Sequence, residues 1–317
     1  MASQSLVLID GNNMFYKSFY AVKYSKNAAP QGYNLQRGYL EAHVFLKMFL
    51  ANVSRFMPAA VLLCWDGNQS AYRQRIYSDY KSKRISAASG RDPAEIKRVA
   101  MLRAAIYDLF PKLGLCSLVV NGVEADDLIA YFYRKYHNDY NIVVVSGDSD
   151  LKQFPDSLVC DLAGVTHHID HGTAKLNILR KIVCGDTSDG ITGVGGIGPK
   201  KFEQLMEECG PTFNAVAGYY SEDMSKIDLL VRNRRLVDLL YVNKVIVNRA
   251  ARSELNKVFA DYLTIEFNRL VAVGHCIKLG LRHIAGTNIA SVLEGNYVTT
   301  SNFIRRSIKK QEHKIAA

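Results

Sequence analysis

Gly122-Val123-Glu124-Ala125-Asp126-Asp127 and, after one intervening run, Ser146-Gly147-Asp148-Ser149-Asp150 place five carboxylates within 27 residues. Between the two clusters, Leu128 to Tyr136 mixes apolar residues with Arg134 and Lys135 as an amphipathic helix does, and Ile142 to Val145 is a short β-branched run. The reading is helix, turn, buried strand. Glu124, Asp126 and Asp127 then sit at the helix start, and Asp148 sits just past the carboxyl end of the strand, where open α/β sheets place ligands. Taken singly, each cluster has a plain structural explanation, since acids in a helix's first turn offset its dipole and Gly-Asp-Ser-Asp is good turn chemistry.

Two further strand-like runs end the same way, Leu6-Val7-Leu8-Ile9-Asp10 and Ala60-Val61-Leu62-Leu63-Cys64-Trp65-Asp66. If the three strands are parallel neighbours, their carboxyl ends converge, and Asp10, Asp66, Asp148 and Asp150 face Glu124, Asp126 and Asp127. Like charges about 4 Å apart repel by roughly 4 kcal/mol at an effective dielectric of about 20. Such a group takes up protons or cations. Oxygen-only ligands select hard ions, Mg²⁺ or Mn²⁺, over zinc.

Composition fits a globular enzyme with a polyanionic partner: 317 residues, 48% hydrophobic, yet 40 Lys+Arg against 30 Asp+Glu, for a net charge of +10. Acids at the centre would repel nucleic acid while the surrounding field attracts it, and metal resolves that conflict. The six cysteines lie at least 24 residues apart, which argues against a close-paired metal motif or a disulfide framework and for reduced thiols. No basic leader and no run of about 18 apolar residues is evident, so a soluble, cytoplasmic protein with no membrane partner is expected.

In chain order, Met14 to Val22 carries Phe15 and Phe19 on one helical face, residues 25–38 read as a loop, and Gly38 to Phe56 reads as a helix with Leu40, Val44, Leu46, Phe49 and Val53 inward. His43 reads as a packed core-edge histidine. Residues 67–103 hold nine Lys/Arg and three acids, more than half of the net charge. A basic run alone reads as a solvated surface helix. The interleaved Tyr72, Tyr77 and Tyr80 suggest base stacking beside phosphate contacts. Ser86 to Gly90 reads as a flexible break, and Pro93 to Phe110 as a core helix through Ile96, Val99, Leu102, Ile106 and Leu109. Residues 155–172 read as short strands and turns, in which His167, His168 and His171 are weak metal candidates. A helix from Thr173 to Cys184 leads to Asp186 and Asp189, which could add ligands for a second metal. Gly193-Val194-Gly195-Gly196-Ile197-Gly198-Pro199-Lys200-Lys201 follows with no evident strand before it, and Pro199 suits the first position of a helix. That favours a helix-hairpin-helix over a dinucleotide loop, with glycines and a helix N-terminus open to phosphate.

Leu-Ile-Asp10-Gly, Trp-Asp66-Gly with Arg73 and Tyr80-Lys81-Ser-Lys83-Arg84, Glu124-Ala-Asp126-Asp127, Ser-Gly-Asp148-Ser-Asp150-Leu, Asp186-Thr-Ser-Asp189 and Gly195-Gly-Ile-Gly-Pro-Lys together resemble the 5′ nuclease (flap endonuclease) family. The match runs in order from residue 6 to about 205. It resembles the bacteriophage enzymes and the 5′ nuclease domain of bacterial family A DNA polymerases. From 210 to 317 little is matched beyond a helical pattern around Leu229 to Val242 and a basic end, Arg305 to Lys310. Too little chain follows the match for a polymerase to be expected.

The resemblance implies an α/β fold with a mostly parallel central sheet flanked by helices, a PIN-like core. Residues 1–175 would be the core, including a helical arch over about 67–103. Residues 176–317 would be a helical DNA-binding region with a helix-hairpin-helix (helix-3-turn-helix) at about 185–208. It implies a two-metal-ion phosphodiesterase, a 5′-3′ exonuclease and flap endonuclease of DNA replication, acting on DNA as a 5′ flap, a nicked or 5′-ended duplex or a single-stranded 5′ arm, and on RNA–DNA primers. Asp10, Asp66, Glu124, Asp126, Asp127, Asp148 and Asp150 would hold or orient the first Mg²⁺, with Mn²⁺ able to substitute, and Asp186 and Asp189 with Asp148 or Asp150 the second. Lys81 and Arg84 would face the scissile phosphate and Tyr80 would stack on the nucleotide. Arg73, Arg75, Lys83, Gly193, Gly195, Gly196, Gly198, Lys200 and Lys201 would contact DNA, with K⁺ at the glycine loop. Two alternatives remain, a junction-binding relative without catalysis and a PIN-like ribonuclease. The complete acid set argues against the first, and the arch and glycine hairpin argue against the second.

Overall fold

The computed structural model describes residues 4–25, 39–67, 70–82, 90, 92–279 and 289–316. Most of the expected loop at 25–38, most of the expected break at 86–90, and both Lys83 and Arg84 lie outside the described residues.

A six-stranded sheet has the order β3-β2-β1-β4-β5-β6, with β1 at Ser5–Asp10, β2 at Ala60–Trp65, β3 at Ser117–Val119, β4 at Asn141–Val145, β5 at Ser157–Cys160 and β6 at Thr166–Ile169. All pairings are parallel except β5 with β6. The three acid-terminated strands are therefore neighbours, as their sequences predict. Buried parallel strands are apolar on both faces, and here the alternation of β1 feeds two cores. Leu6 and Leu8 pack with α5 (Ala125–Tyr136), α10 (Leu239–Ile246) and α11 (Arg249–Leu263). Val7 and Ile9 pack with α1 (Gly11–Lys23), α2 (Tyr39–Phe56), α4 (Pro93–Leu109) and α12 (Arg269–Lys278). Between α2 and α4, α3 spans Ala71–Ile76.

A third core joins α6 (His171–Cys184), α7 (Pro199–Cys209), α8 (Phe213–Tyr219) and α9 (Met224–Val237) through Leu179, Val183, Phe202, Val216 and Leu230. The division expected at residue 175 needs correction: from Leu239 onward the chain returns to the sheet, and Val242, Leu255, Phe259 and Phe303 join the core behind α5. The last helix, α13 (Ile289–Ala316), packs against β2. Because β3 pairs only with Leu63 to Trp65, the Val61 amide lacks a strand partner on that side and donates instead to Thr300 Oγ1 at 3.2 Å.

Smaller expectations resolve similarly. Leu46, Phe49 and Val53 are buried on α2, and His43 lies at the core edge with Nδ1 2.7 Å from the Leu279 carbonyl. Ile96, expected inward on α4, is exposed. The pattern read around Leu229 to Val242 is two helices, broken at Asp238, whose side chain caps α10 by accepting from Tyr241 N. The cysteines are all unpaired. Among the described residues no helix is long and apolar enough to cross a membrane.

Candidate active site

The order of the central strands puts a switch point between β1 and β4, where chain connections leave in opposite directions and a crevice opens beyond the carboxyl ends. Asp10 ends β1 at that crevice. One of its oxygens caps α1 by accepting from Asn13 N at 2.9 Å, and the other accepts from Ser146 Oγ at 3.0 Å, which ties β1 to the turn after β4. Asp148 caps the short 3₁₀ turn Ser149–Gln153 by accepting from Asp150 N at 2.9 Å. Asp66, beyond β2, accepts from Ala125 N at 2.8 Å and so fixes the start of α5. Local capping chemistry thus aims each strand-end acid into one cleft.

Two carboxylate groups result. Glu124, Asp126 and Asp127 present ligand atoms within 4.8 Å of one another, and so do Asp150, Asp186 and Asp189. The second group includes Asp150 of the Ser146–Asp150 turn, and the first is linked to that turn by Asp66, which accepts from Ala125 N, and Asp10, which feels the Asp66 charge and accepts from Ser146. Burial lifts Asp10 to about 7, against the pull of Asn13 N–H, and the charges of Asp66 and Asp148 add to it. Burial and the neighbouring Asp127 push Asp126 well up too. An all-oxygen set in which burial makes Asp10 and Asp126 resist ionisation is the donor chemistry that hard divalent cations satisfy. Asp186 differs: burial works against its charge, but the Lys181 ammonium at 2.7 Å and the Ser188 hydroxyl hold it at about 2. Lys181 also bonds Asp150 and so bridges the second group. The sequence gives no sign of this lysine's role beyond its place one turn before Asp186.

These shifts set a pH dependence. Asp10 is ordinarily near 3.8, so between about 4 and 7 the folded chain holds a proton that the unfolded chain has released. The stability Asp10 contributes is therefore lost as pH rises through that window in the metal-free protein, and a divalent cation that displaces the proton restores it. The rise in melting temperature on adding Mg²⁺ should be larger at pH 8 than at pH 5. Equal increments at the two pH values would contradict the assignment of Asp10 to the cation site.

Two residues are placed otherwise than expected. Arg73 was expected on DNA, but it is 1% exposed and lies beneath the acids. Its guanidinium grips both oxygens of Asp127 at 2.7 and 2.8 Å, reaches Glu124 at 3.1 Å and donates through Nε to the Leu236 carbonyl at 2.9 Å. Asp127 therefore has both oxygens engaged by Arg73 within its group. Tyr80 was expected to stack on a nucleotide, but it is buried and donates its hydroxyl to Glu124 at 3.0 Å.

Lys81 keeps its place at the cleft. Its ammonium lies 2.9 Å from Glu124, its amide donates to the Asp189 carbonyl at 2.8 Å, and its φ of 57° is in the left-handed region that a lysine rarely adopts. Two tertiary bonds hold it there, and such strain persists where the surroundings over-determine it. Burial lowers the charge preference of Lys81, yet Glu124 and Asp126 outweigh it and keep the ammonium protonated.

In the glycine loop, Gly193 is there for packing, since a Cβ would meet the Cys184 backbone at 2.2 Å. Gly195 and Gly198 face open space, Gly196 has a φ of 77°, and Lys200 and Lys201 are exposed at the start of α7. A two-residue hairpin, β7 (Gly185–Asp186) with β8 (Ile191–Thr192), precedes the loop, where no strand was expected. Arg75 is exposed on α3. His167 and His168 are exposed on β6, and His171 pairs with Asp156 at 3.0 Å; among the described residues none joins an acid group.

Residues 5–177, more than half of the chain, match the model of the 5′-3′ exonuclease N-terminal resolvase-like domain. The chain belongs to the 5′-3′ exonuclease family. It is similar to the 5′-3′ exonuclease of Bacillus subtilis, with 29% identity over 226 residues, 66% of this chain and 71% of that one. It is also similar to the thermostable DNA polymerase I of Thermus thermophilus, with 28% identity over 224 residues, 66% of this chain and 24% of the polymerase. In fold, this 5′-3′ exonuclease family member resembles the T5 5′-exonuclease solved with divalent metal ions (zinc), at a TM-score of 0.67 and 21% identity, covering 83% of this chain and 99% of that one. The bacteriophage T5 D15 flap endonuclease, solved with DNA and metal ions, is alike to the same degree, with a TM-score of 0.67 and 20% identity over the same shares.

Proposed function

We infer that this chain is a structure-specific 5′ nuclease that hydrolyses phosphodiester bonds of branched or 5′-ended DNA with two divalent cations, Mg²⁺ by preference. The observation that carries the reading is the pair of carboxylate groups, Glu124–Asp126–Asp127 and Asp150–Asp186–Asp189, with the Lys81 ammonium 2.9 Å from Glu124 of the first. Glu124, Asp126, Asp10 and Asp66 would hold or orient one cation, and Asp150, Asp186 and Asp189 the other. Bound there, divalent cations polarise the phosphodiester and lower the pKa of the attacking water.

The chain's own residues do the rest. Asp10, tied to Ser146 and to Asn13 N, holds the end of β1 against the turn after β4. Lys81, fixed by Glu124 and by its backbone bond to Asp189, presents a positive charge where negative charge grows on the scissile phosphate. Tyr80 and Arg73 hold Glu124 from below. Gly195 and Gly198, with no described residue within 4 Å of where a Cβ would stand, leave the N-terminus of α7 open to a duplex phosphate, and K⁺ is the cation proposed for that loop.

Lys81→Ala should lower the single-turnover cleavage rate by about 10²-fold or more with a much smaller change in DNA affinity. An equal loss in both would make Lys81 a binding residue. DNA binding itself should weaken steeply with salt, because each phosphate neutralised releases a counterion; a flat dependence would count against basic residues as the grip.

The deciding experiment incubates the protein with a 5′-labelled flap duplex, with Mg²⁺ or with EDTA, and sizes the labelled product. Mg²⁺-dependent release of a flap-length fragment cut near the junction supports the nuclease. Tight binding with no product in either condition would overturn it in favour of junction binding alone.

A further inference from the structure

Residues 224–246, which carry no recognisable motif, bond through buried side chains to the Asp148–Gln153 turn, to the ends of the Asp186–Asp189 hairpin and to Asp127. At the break between α9 and α10, the Leu236 and Val237 carbonyls and the Leu239 amide fall where helical bonding is interrupted. Gln153, 1% exposed at the end of the turn that Asp148 caps, fills that gap with its primary amide. Its Nε2 donates to the Val237 carbonyl at 3.0 Å and its Oε1 accepts from Leu239 N at 3.2 Å. One turn before the break, Asn233, fully buried, donates from Nδ2 to the Ile182 and Thr192 carbonyls, both at 2.9 Å. Those carbonyls flank the β7–β8 hairpin that carries Asp186 and Asp189. α9 is thus the common frame for two segments that share no strand with each other: the Asp148–Asp150 turn and the Asp186–Asp189 hairpin.

We propose that Gln153 and Asn233 are positioning residues that set the span between Asp150 and the Asp186–Asp189 pair, and with it the affinity of the second cation site. This rests on the two-cation reading given above. Gln153 bonds main-chain groups, Asn233 bonds main-chain carbonyls through Nδ2 and accepts from the Arg232 guanidinium through Oδ1, and neither amide bonds an acid, so the effect on a cation is one of spacing. Glu124 and Asp127 are held by bonds that neither Gln153 nor Asn233 makes, from Arg73, itself tied to the Leu236 carbonyl, and from Asn243, whose Nδ2 donates to the Asp127 carbonyl at 2.8 Å. Loss of Gln153 or Asn233 therefore loosens the second group and spares the first.

The test titrates Mn²⁺ into the metal-free protein by calorimetry, in parallel with Gln153→Met, Asn233→Leu and Thr300→Val. Thr300→Val removes a buried hydroxyl contact at the end of β2 opposite Asp66 and serves as the control for general destabilisation. The unaltered protein should take up two ions. Gln153→Met and Asn233→Leu should each weaken one step by about tenfold or more, as supporting partners of metal ligands do, and leave the other step within about twofold. Thr300→Val should lower the melting temperature and change neither step. If one positioning variant fails to fold, the other carries the same expectation. Equal weakening of both steps, a matching loss in Thr300→Val, or no loss in a folded variant overturns the proposal. Uptake of fewer than two ions by the unaltered protein overturns the two-cation reading itself, and this inference with it.

Discussion

Asp148→Asn should reduce cleavage of a 5′ flap by about 10³-fold or more while leaving the affinity for the same DNA, measured in EDTA, unchanged or tighter. The substitution is clean because the Asp148 side chain has a second task, capping the Ser149–Gln153 turn through Asp150 N. Asparagine caps nearly as well as aspartate, so the turn is kept. Only the charge goes. Each lost factor of ten corresponds to about 1.4 kcal/mol of transition-state stabilisation, and a cation that polarises a phosphoryl oxygen supplies several kcal/mol. Removing a negative charge from the cleft also relieves its repulsion of DNA, which is why binding should not suffer. Single-turnover cleavage and filter binding separate the two effects, and unchanged cleavage would remove Asp148 from the cation site.

Arg73→Met should destabilise the protein by about 3–5 kcal/mol, read from the urea midpoint at constant slope. Methionine fills a similar volume, so the loss is electrostatic: Asp127, fully buried, is left without its bidentate partner, and Glu124 loses one of three donors. The Leu236 carbonyl loses its bond as well. Adding Asp127→Leu should recover part of the stability, because a buried pair replaced on both sides leaves no orphaned charge. A double variant less stable than Arg73→Met alone would show that Asp127 does not depend on Arg73.

The contrast between these two residues shows what could be read from the chain. Asp10, Asp66 and Asp148 were legible because each ends a short apolar run, and buried parallel strands are the commonest home for such runs. Once three runs end in acid, their adjacency is enough to predict a cleft. Arg73 and Tyr80 were legible only as members of a basic, aromatic stretch, and the stretch misplaced them. Arg73 faces inward because its partners Asp127 and Leu236 are 54 and 163 residues away, a distance no local pattern spans. Gln153, Asn233 and the bond from Lys181 to Asp150 stayed hidden for the same reason: each has its other half in a distant segment. The return of the chain to the sheet after Leu239 was hidden too, since an amphipathic helix announces that it has an apolar face but not which surface will cover it.

The bond from Val61 to Thr300 joins residues 239 apart, and it ties β2 of the central sheet to α13. A fold whose central sheet depends on so remote a partner has high contact order and assembles slowly, with little reward until most of the chain has docked. The acids of the cleft are scattered over the same length, from Asp10 to Asp189, and a half-folded chain has nothing to hold them together. Nuclease chemistry should therefore appear late in refolding, after the helical signal has recovered, so that incomplete chains carry no cutting activity.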